Sequence, residues 1–323
     1  MKALAVFSGG LDSLLSCAVV KSQGIDVQAI FFETPFFKAH RAKRYAEKNN
    51  ICLEVVDITD EHLEIVKRPK YGYGINMNPC IDCHLLMIRK AGQMLPYFNA
   101  SFIITGEVLN QRPMSQNRRA LMLVAKESGY GDLLLRPLSA KKLPPTLPER
   151  EGWIDRERLL AISGRSRKIQ IQLASEYHIR DYPSPAGGCL LTDPVFSQRL
   201  RDLLSYKHSL KKRDVELLKL GRHFRTPAGA KIIVGRNRKE NMKIQELSTE
   251  EDILIHAAEI PGPIVLLMDK KREEDEILAN ELSLAYSDTE EGKEYLVVAR
   301  SGESIRKMRL KARSKAAFRH YMV

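Results

Sequence analysis

The most constraining feature of this 323-residue sequence is a hexapeptide, Ser8-Gly9-Gly10-Leu11-Asp12-Ser13, set between an apolar run and a helical period. The run, residues 2–7, is strand-sized and stops at the paired glycines. Residues 12–22 then place Leu14, Leu15, Ala18 and Val19 on one helical face. A strand that turns into a helix through glycines brings the first helical amides against whatever occupies the turn, and such amides favour an anion. Ser8 and Ser13 add hydroxyl donors. Asp12 offers a carboxylate to a hard cation such as Mg²⁺ held on phosphate oxygens. The lysine of the GxxxxGK[ST] loop is absent, so this is a phosphate cradle of another kind.

Strand and helix signals continue to alternate after the hexapeptide. Residues 27–32, 52–58 and 101–105 read as strands and 38–49 and 85–95 as helices, with Gly106 closing the last strand. This pattern predicts an α/β fold, a parallel sheet with helices on both faces, whose ligands bind beyond the carboxyl ends of the strands. Near Arg136 the pattern is interrupted by Pro137, Pro144, Pro145 and Pro148. Helical periods follow over 156–176 and 195–204, on either side of an unusual loop, 181–189. From about Lys219, strands at 231–234, 253–256, 264–268 and 295–299 and a helix at 275–286 predict a smaller α/β unit. Residues 305–323 read as a basic tail or helix. The expected division is 1–135 for the nucleotide unit, 136–220 for a linking region that carries Cys189, and 221–323 for the smaller unit.

Charge and cysteine content narrow the function. A formal net charge of +12 points to a polyanionic partner, nucleic acid before a membrane surface. The densest basic stretch includes Lys211, Lys212, Arg213, Arg222, Arg225, Arg236, Arg238 and Lys239, residue types that neutralise phosphates without reading sequence. No apolar run is long enough to span a bilayer and the first residues lack a leader pattern, so a cytoplasmic protein without a membrane partner is expected. Five cysteines, an odd number in such a chain, argue against a disulfide scaffold. Cys17, on the apolar helix face, and Cys52, in a strand, are expected in the core. Cys80 and Cys83 form a CxxC motif before a helix, and Cys189 follows a Gly-Gly pair a hundred residues later. Three readings stay open for this trio. It can hold a metal cluster with one coordination position free, it can work as a persulfide or disulfide pair of Cys83 and Cys189, or it can be incidental.

The hexapeptide SGGLDS resembles the PP-loop of the ATP pyrophosphatase superfamily, whose members split ATP between its α and β phosphates and adenylate a substrate. Asn78-Pro79-Cys80-Ile81-Asp82-Cys83 is similar to the NPDxxC segment of the tRNA 2-thiouridylases, with Cys80 where that pattern has aspartate. Members with two cysteines here resemble the cluster-dependent thiolases, and Cys189 then corresponds to their second catalytic cysteine. Thr105-Gly106-Glu107, with Gln111, Ser115 and Gln116 downstream, looks like the nucleotide-site loop of 4-thiouridine synthetases. Over about 1–200 the resemblance implies an ATP- and Mg²⁺-dependent tRNA-uridine thiolase with Asp12, Cys80, Cys83 and Cys189 as catalytic residues. It further implies ATP contacts from Ser8, Gly9, Gly10, Asp12, Ser13, Gly106 and Glu107, and a [4Fe-4S] cluster on Cys80, Cys83 and Cys189. No rhodanese-like stretch is evident. A separate sulfur donor, a cysteine desulfurase or inorganic sulfide, is therefore expected.

Ile232-Ile-Val-Gly-Arg-Asn-Arg-Lys-Glu-Asn241, then Asp252 to His256, then Pro261-Gly262, resembles the RNA-binding domain of NFACT proteins. Leu254 replaces that pattern's tryptophan, and Pro263-Ile264 its Ser-His. The resemblance implies RNA contacts from Arg236, Asn237 and His256, although an isolated histidine in such a strand is more often a core residue. Two other functions fit the same motifs. One is an amide-forming synthetase of the same superfamily, and the other a non-enzymatic Fe–S RNA-binding protein that keeps a relic ATP site.

Overall fold

The computed structural model describes residues 1–179, 181–184 and 189–323, which gather into two units, Met1–Asp193 and Pro194–Val323. The linking region expected at 136–220 is shared between them. Its proline-rich part joins the first core through Leu138, Ala140, Ile154 and Ile162, whereas everything from Pro194 onward belongs to the second unit.

The first unit runs β1 (Lys2–Val6), α1 (Leu11–Lys21), β2 (Asp26–Glu33), α2 (His40–Lys48), β3 (Leu53–Asp57), α3 (Thr59–Lys67), α4 (Cys80–Met94), β4 (Phe102–Thr105), α5 (Arg118–Ser128), β5 (Leu134–Leu135), α6 (Leu147–Arg150) and α7 (Lys168–Glu176). The sheet order is β3-β2-β1-β4-β5, and every neighbouring pair is parallel. Side chains alternate along β1, so Ala3 and Ala5 enter one core with Leu14 of α1 and Ala42 of α2. Leu4 enters the other core, with Leu86 and Ile88 of α4 and Val124 of α5. Helices on both faces are thus a consequence of strands that are apolar on both sides. Successive connections leave β1 towards β2 on one side and reach β4 on the other, so the loops after β1 and β4 open a crevice at the carboxyl edge.

Several elements differ from the sequence reading, three of them instructively. The expected helix 156–176 is only the nine-residue α7, because Ser163 makes a bridge with Leu109 and Gly164 takes a left-handed backbone, φ +93°. Helix α5 was not expected, yet its ends are marked. Asn117 caps it by accepting a hydrogen bond from the Ala120 amide at 2.9 Å, and Gly129 ends it in a left-handed turn. Helix α3 was also unexpected; Asp57 accepts from the Thr59 amide at its start, 2.8 Å.

The second unit contains α8 (Pro194–Tyr206), α9 (Lys212–Leu218), β6 (Arg222–Arg225), β7 (Lys231–Val234), α10 (Arg238–Leu247), β8 (Ile253–Ala257), β9 (Val265–Met268), α11 (Glu273–Ala285), β10 (Glu294–Ser301) and β11 (Ser304–Lys311). Its six strands lie in the order β11-β10-β8-β9-β7-β6, all antiparallel. Leu278, Ala279 and Leu282 of α11 pack on one face against Ile232, Ile255, Val265 and Val297. Leu217 of α9 and Ile244 of α10 cover the β7–β9 part of the other face. The basic tail or helix expected at 305–323 is instead the edge strand β11, followed by a 3-10 turn at Lys315–Tyr321. Lysine and arginine along β11 hid its strand character, and such charges are what keep an exposed edge from pairing with another chain. Among the described residues no helix is long and apolar enough to cross a membrane.

Candidate active site

The glycine loop is fixed by close backbone approach. Gly9 has φ +75°, and a Cβ there would lie 2.7 Å from the Ala42 Cα. A Cβ on Gly106, just past β4, would meet the carbonyl carbon of Asp12 at 2.6 Å. Glycine at 9 thus lets the loop after β1 lie against α2, and glycine at 106 lets the end of β4 lie against the first turn of α1. Helix α1 begins after Gly10 with no side-chain cap, so the amides of its first turn face the crevice without an intrahelical partner. Ser13 Oγ donates to the Gly10 carbonyl at 2.8 Å, and Ser8 Oγ accepts from the Gly10 amide at 3.3 Å. Ser8, Gly9, Gly10 and Ser13 therefore line one turn with the geometry of an anion site.

Asp12 stands in the first turn of α1. Its Oδ2 accepts from Gln111 Nε2 at 2.6 Å, and Gln111 Oε1 accepts in turn from Gln170 Nε2 of α7 at 3.0 Å. Asp12 Oδ1 is buried without a partner. Burial raises the carboxyl above its ordinary value against the Gln111 hydrogen bond and the charges of Arg167 and Arg112. A buried oxygen with no donor suits a cation or a substrate proton, and it fits the Mg²⁺ expected here. Glu107 is differently placed. Its Oε2 accepts from Arg136 Nε at 2.7 Å and Thr105 Oγ1 at 3.1 Å, and its Oε1 lies 2.8 Å from His84 Nδ1. Although burial opposes it, Arg136 and His84 hold this carboxyl well below the usual range. Both oxygens are thus committed within the protein, and Gly106 is the member of the pair that touches the loop.

The thiols collect at the start of α4. Cys80 is its first residue and Cys83 lies three residues on, so the two share a helical face. Between them Asp82 accepts from the amides of Lys70 and Tyr71, 3.0 and 3.1 Å away, and fixes the loop that leads into the helix. Asn78 Nδ2 donates to Cys80 Sγ at 3.2 Å. Asn76 Nδ2 donates to the Thr192 carbonyl at 2.7 Å, and Thr192 Oγ1 donates to the Cys189 carbonyl at 2.6 Å, which tethers the distant cysteine to the same loop. Gly187 and Gly188, expected to form the turn before Cys189, lie outside the described residues.

Electrostatics agree that the trio is gathered. Burial, then Cys189 and Cys80, push the Cys83 thiol well above its ordinary value. Burial pushes Cys189 up to about 11, with Cys80 adding to the rise and Arg112 opposing it. Arg112 therefore acts on both Asp12 and Cys189. Even so, among the described residues no three His, Cys, Asp or Glu side chains are arranged to hold a metal ion. The donor chemistry fits a three-thiolate cluster, but its spacing does not form a ready cradle. The other two cysteines lie on α1 and just before β3. Cys17 is in the core as expected, its thiol raised by burial to about 12. Cys52, expected in the core, is exposed and precedes β3, where its carbonyl accepts from the Ala29 amide at 2.9 Å.

In the second unit two of the three expected RNA contacts have structural duties. Arg236 Nε donates to both Glu240 oxygens at 3.0 Å, and Asn237 caps α10 by accepting from the Glu240 amide at 3.0 Å. His256 is exposed on β8, so it is not a core histidine. It pairs with Val298, which pairs with Lys307, so the three side chains share a sheet face. Sequence reasoning missed Gln170, Arg112, Arg167, Arg136 and His84. Only His84, next to a CxxC motif, stood beside a signal that could have drawn attention to it.

Residues 1–142 match the family model described as thiamine biosynthesis protein (ThiI), and residues 221–322 match that of the NFACT protein RNA binding domain. A probable tRNA sulfurtransferase of Anoxybacillus flavithermus is 24% identical over 198 residues, 50% of this chain and 49% of that protein. A tRNA-specific 2-thiouridylase MnmA of Sulfurimonas denitrificans is 30% identical over 120 residues, 33% of this chain and 35% of that protein. A solved 4-thiouridine synthetase–RNA complex with bound ATP is similar at 19% identity, covering 68% of this chain and 51% of that one, with a TM-score of 0.39. The chain spans about half the length of the first of these curated relatives and about a third of the second.

Proposed function

We propose that this union of a ThiI-type domain with an NFACT-type RNA-binding domain is an ATP-dependent tRNA-uridine thiolase. The observation that carries the reading is the meeting of two half-sites in one unit. One is a backbone-built anion loop with the unpartnered Asp12 Oδ1, and the other a trio of thiols in which Cys80 and Cys189 act on Cys83, with Arg112 acting on both Asp12 and Cys189. In the first step a uridine carbonyl oxygen attacks the α-phosphorus of ATP. The new O–P bond replaces the P–O bond to pyrophosphate, which leaves against the amides of Ser8–Ser13. Asp12 would hold Mg²⁺, which offsets phosphate charge as this group departs. Adenylation turns a poor leaving oxygen into AMP.

Sulfur then replaces AMP at the activated carbon. Written through the thiols alone, a persulfide on Cys83 supplies its outer sulfur. The new C–S bond displaces AMP, and the Cys189 thiolate attacks the Cys83 sulfur to release the thiouridine. A Cys83–Cys189 disulfide remains, and a dithiol reductant returns it with two electrons. The [4Fe-4S] cluster expected from the sequence would take Cys80, Cys83 and Cys189 as ligands. It is supported by the influence of Cys80 and Cys189 on Cys83 and opposed by the lack of a gathered ligand set among the described residues. Substrate tRNA would be held by the basic second unit, with His256 and Lys307 on one sheet face.

Two measurements test this function. Asp12→Ala should abolish ATP-dependent thiouridine formation on tRNA while the variant still folds; undiminished thiolation would sink the reading of an active ATP site. Anaerobic purification separates the two sulfur routes. Brown, iron-containing protein supports the cluster, whereas colourless, iron-free protein that still thiolates tRNA leaves the persulfide.

A further inference from the structure

The second unit holds a cavity of about 400 Å³, its solvent mouth included, between α11 and the β10–β11 hairpin. Val297 pairs with Met308 and Ala299 with Arg306 across the hairpin. Val297 and Ala299 are buried under α11, so Met308 and Arg306 point to the helix side. Glu276, Ile277 and Asn280 recur at helical spacing on the facing side of α11 and line the same cavity. Its polar groups are unequally satisfied. Glu276 Oε2 accepts from Lys270 Nζ and from Arg306 Nη2, each at 2.7 Å. Asn280 is 2% exposed, and its Oδ1 has no hydrogen-bond partner. Arg306 stands half-exposed at the mouth. Ile277 and Met308, 42% and 43% exposed, form apolar walls.

We propose that this cavity binds one base of a single-stranded RNA, with the base between Ile277 and Met308 and its phosphate on Arg306. The inference rests on the RNA-binding reading of this unit. Apolar walls on two sides suit the faces of any base, and a half-exposed guanidinium suits a phosphate. The orphaned amide oxygen adds selection, because it can only accept. Adenine, cytosine and guanine offer an exocyclic amino donor, whereas the one donor on uracil's pairing edge, N3–H, lies between two carbonyl oxygens that the Asn280 oxygen repels. Single-stranded RNA is also the form whose base edges are free for such a contact.

The test is fluorescence anisotropy of the full chain with labelled oligoadenylate, oligocytidylate and oligouridylate hexamers at one salt concentration. Wild-type protein should bind the adenylate and cytidylate strands more tightly than the uridylate, on the order of tenfold. Asn280→Leu, close in size, should bring all three to the uridylate value. Its thermal midpoint should be no lower than wild type, since an unpartnered polar atom is replaced by an apolar one. Ile277→Glu places a carboxylate at the mouth and should weaken all three. His256→Ala, on the opposite sheet face, should weaken all three without changing their ratio. Equal wild-type affinity for the three strands, or Asn280→Leu and Ile277→Glu variants that bind as wild type does, would overturn the proposal. Wild-type protein that binds none of them would instead remove the RNA-binding reading on which it stands.

Discussion

The glycine loop and the thiol trio lie in the same unit and are prepared in opposite ways. The loop is complete once the chain has folded. Gly9 and Gly106 are pressed against backbone, the first amides of α1 are uncapped, and Asp12 is held by a glutamine pair. The thiols are gathered but chemically withheld, because burial and their own proximity keep Cys83 and Cys189 protonated at neutral pH. Phosphate recognition needs only fixed dipoles, which a backbone can supply in advance. Sulfur chemistry needs thiolates, and a buried thiolate awaits a partner that offsets its charge.

The largest expected effect tests whether the loop owes its completeness to the network beside it. Glu107→Gln leaves Arg136 buried without its counter-charge, a loss of about 3–5 kcal/mol in urea unfolding. Because the folded Glu107 carboxyl is depressed, its contribution is full above the unfolded value, about pH 4.3, and is lost as pH falls below it. An unchanged unfolding midpoint would mean that Glu107 does not anchor this edge of the site. Gly106→Ala comes next. The added Cβ forces β4 from Asp12, costing about 1–3 kcal/mol and lowering calorimetric ATP affinity on the order of tenfold. Alkylation rates of the three thiols should stay as in wild type, and a parallel change in them would merge the two half-sites. The smallest effect sharpens the thiol side. Cys189→Ser removes one of the influences that raise Cys83, so Cys83 should alkylate modestly faster at a fixed pH, by peptide mass spectrometry. In wild type, Cys189 should react readily only as pH approaches 11. Since the folded chain keeps that proton longer than the unfolded one, this group's contribution to stability is lost as pH rises from about 9 to 11.

The backbone half of the site was legible because glycine leaves a direct mark. Ser8–Ser13 and Gly106 fall where a strand must end, and the structure brings them together. Four strands of the parallel sheet were legible as apolar runs, whereas β5, two residues long, was too short to read. The Gln111–Gln170 link was not, because 59 residues separate two polar side chains that belong to no period. Glu107 lay in the right loop, but its partners come from α4 and from beyond α5, so its pairing could not be read locally. Strand β11 was hidden because it is exposed on both faces, which removes the alternation that marks a strand. Cys52 misled because its neighbours are apolar, although its own place is the exposed residue before β3.

The central claim is that the loop activates a tRNA uridine for attack by sulfur held at Cys80, Cys83 and Cys189. The direct measurement is mass spectrometry of nucleosides from tRNA incubated with the purified full chain, ATP and Mg²⁺, with sulfur supplied either as persulfide by a cysteine desulfurase with cysteine and a dithiol reductant, or as inorganic sulfide. Wild-type protein should give thiouridine together with one AMP per sulfur inserted, and Asp12→Ala and Cys83→Ser should give none. Unmodified tRNA from active-site-intact protein, tried both as purified and after anaerobic iron loading, would contradict it. So would thiouridine formed at the wild-type rate by either variant.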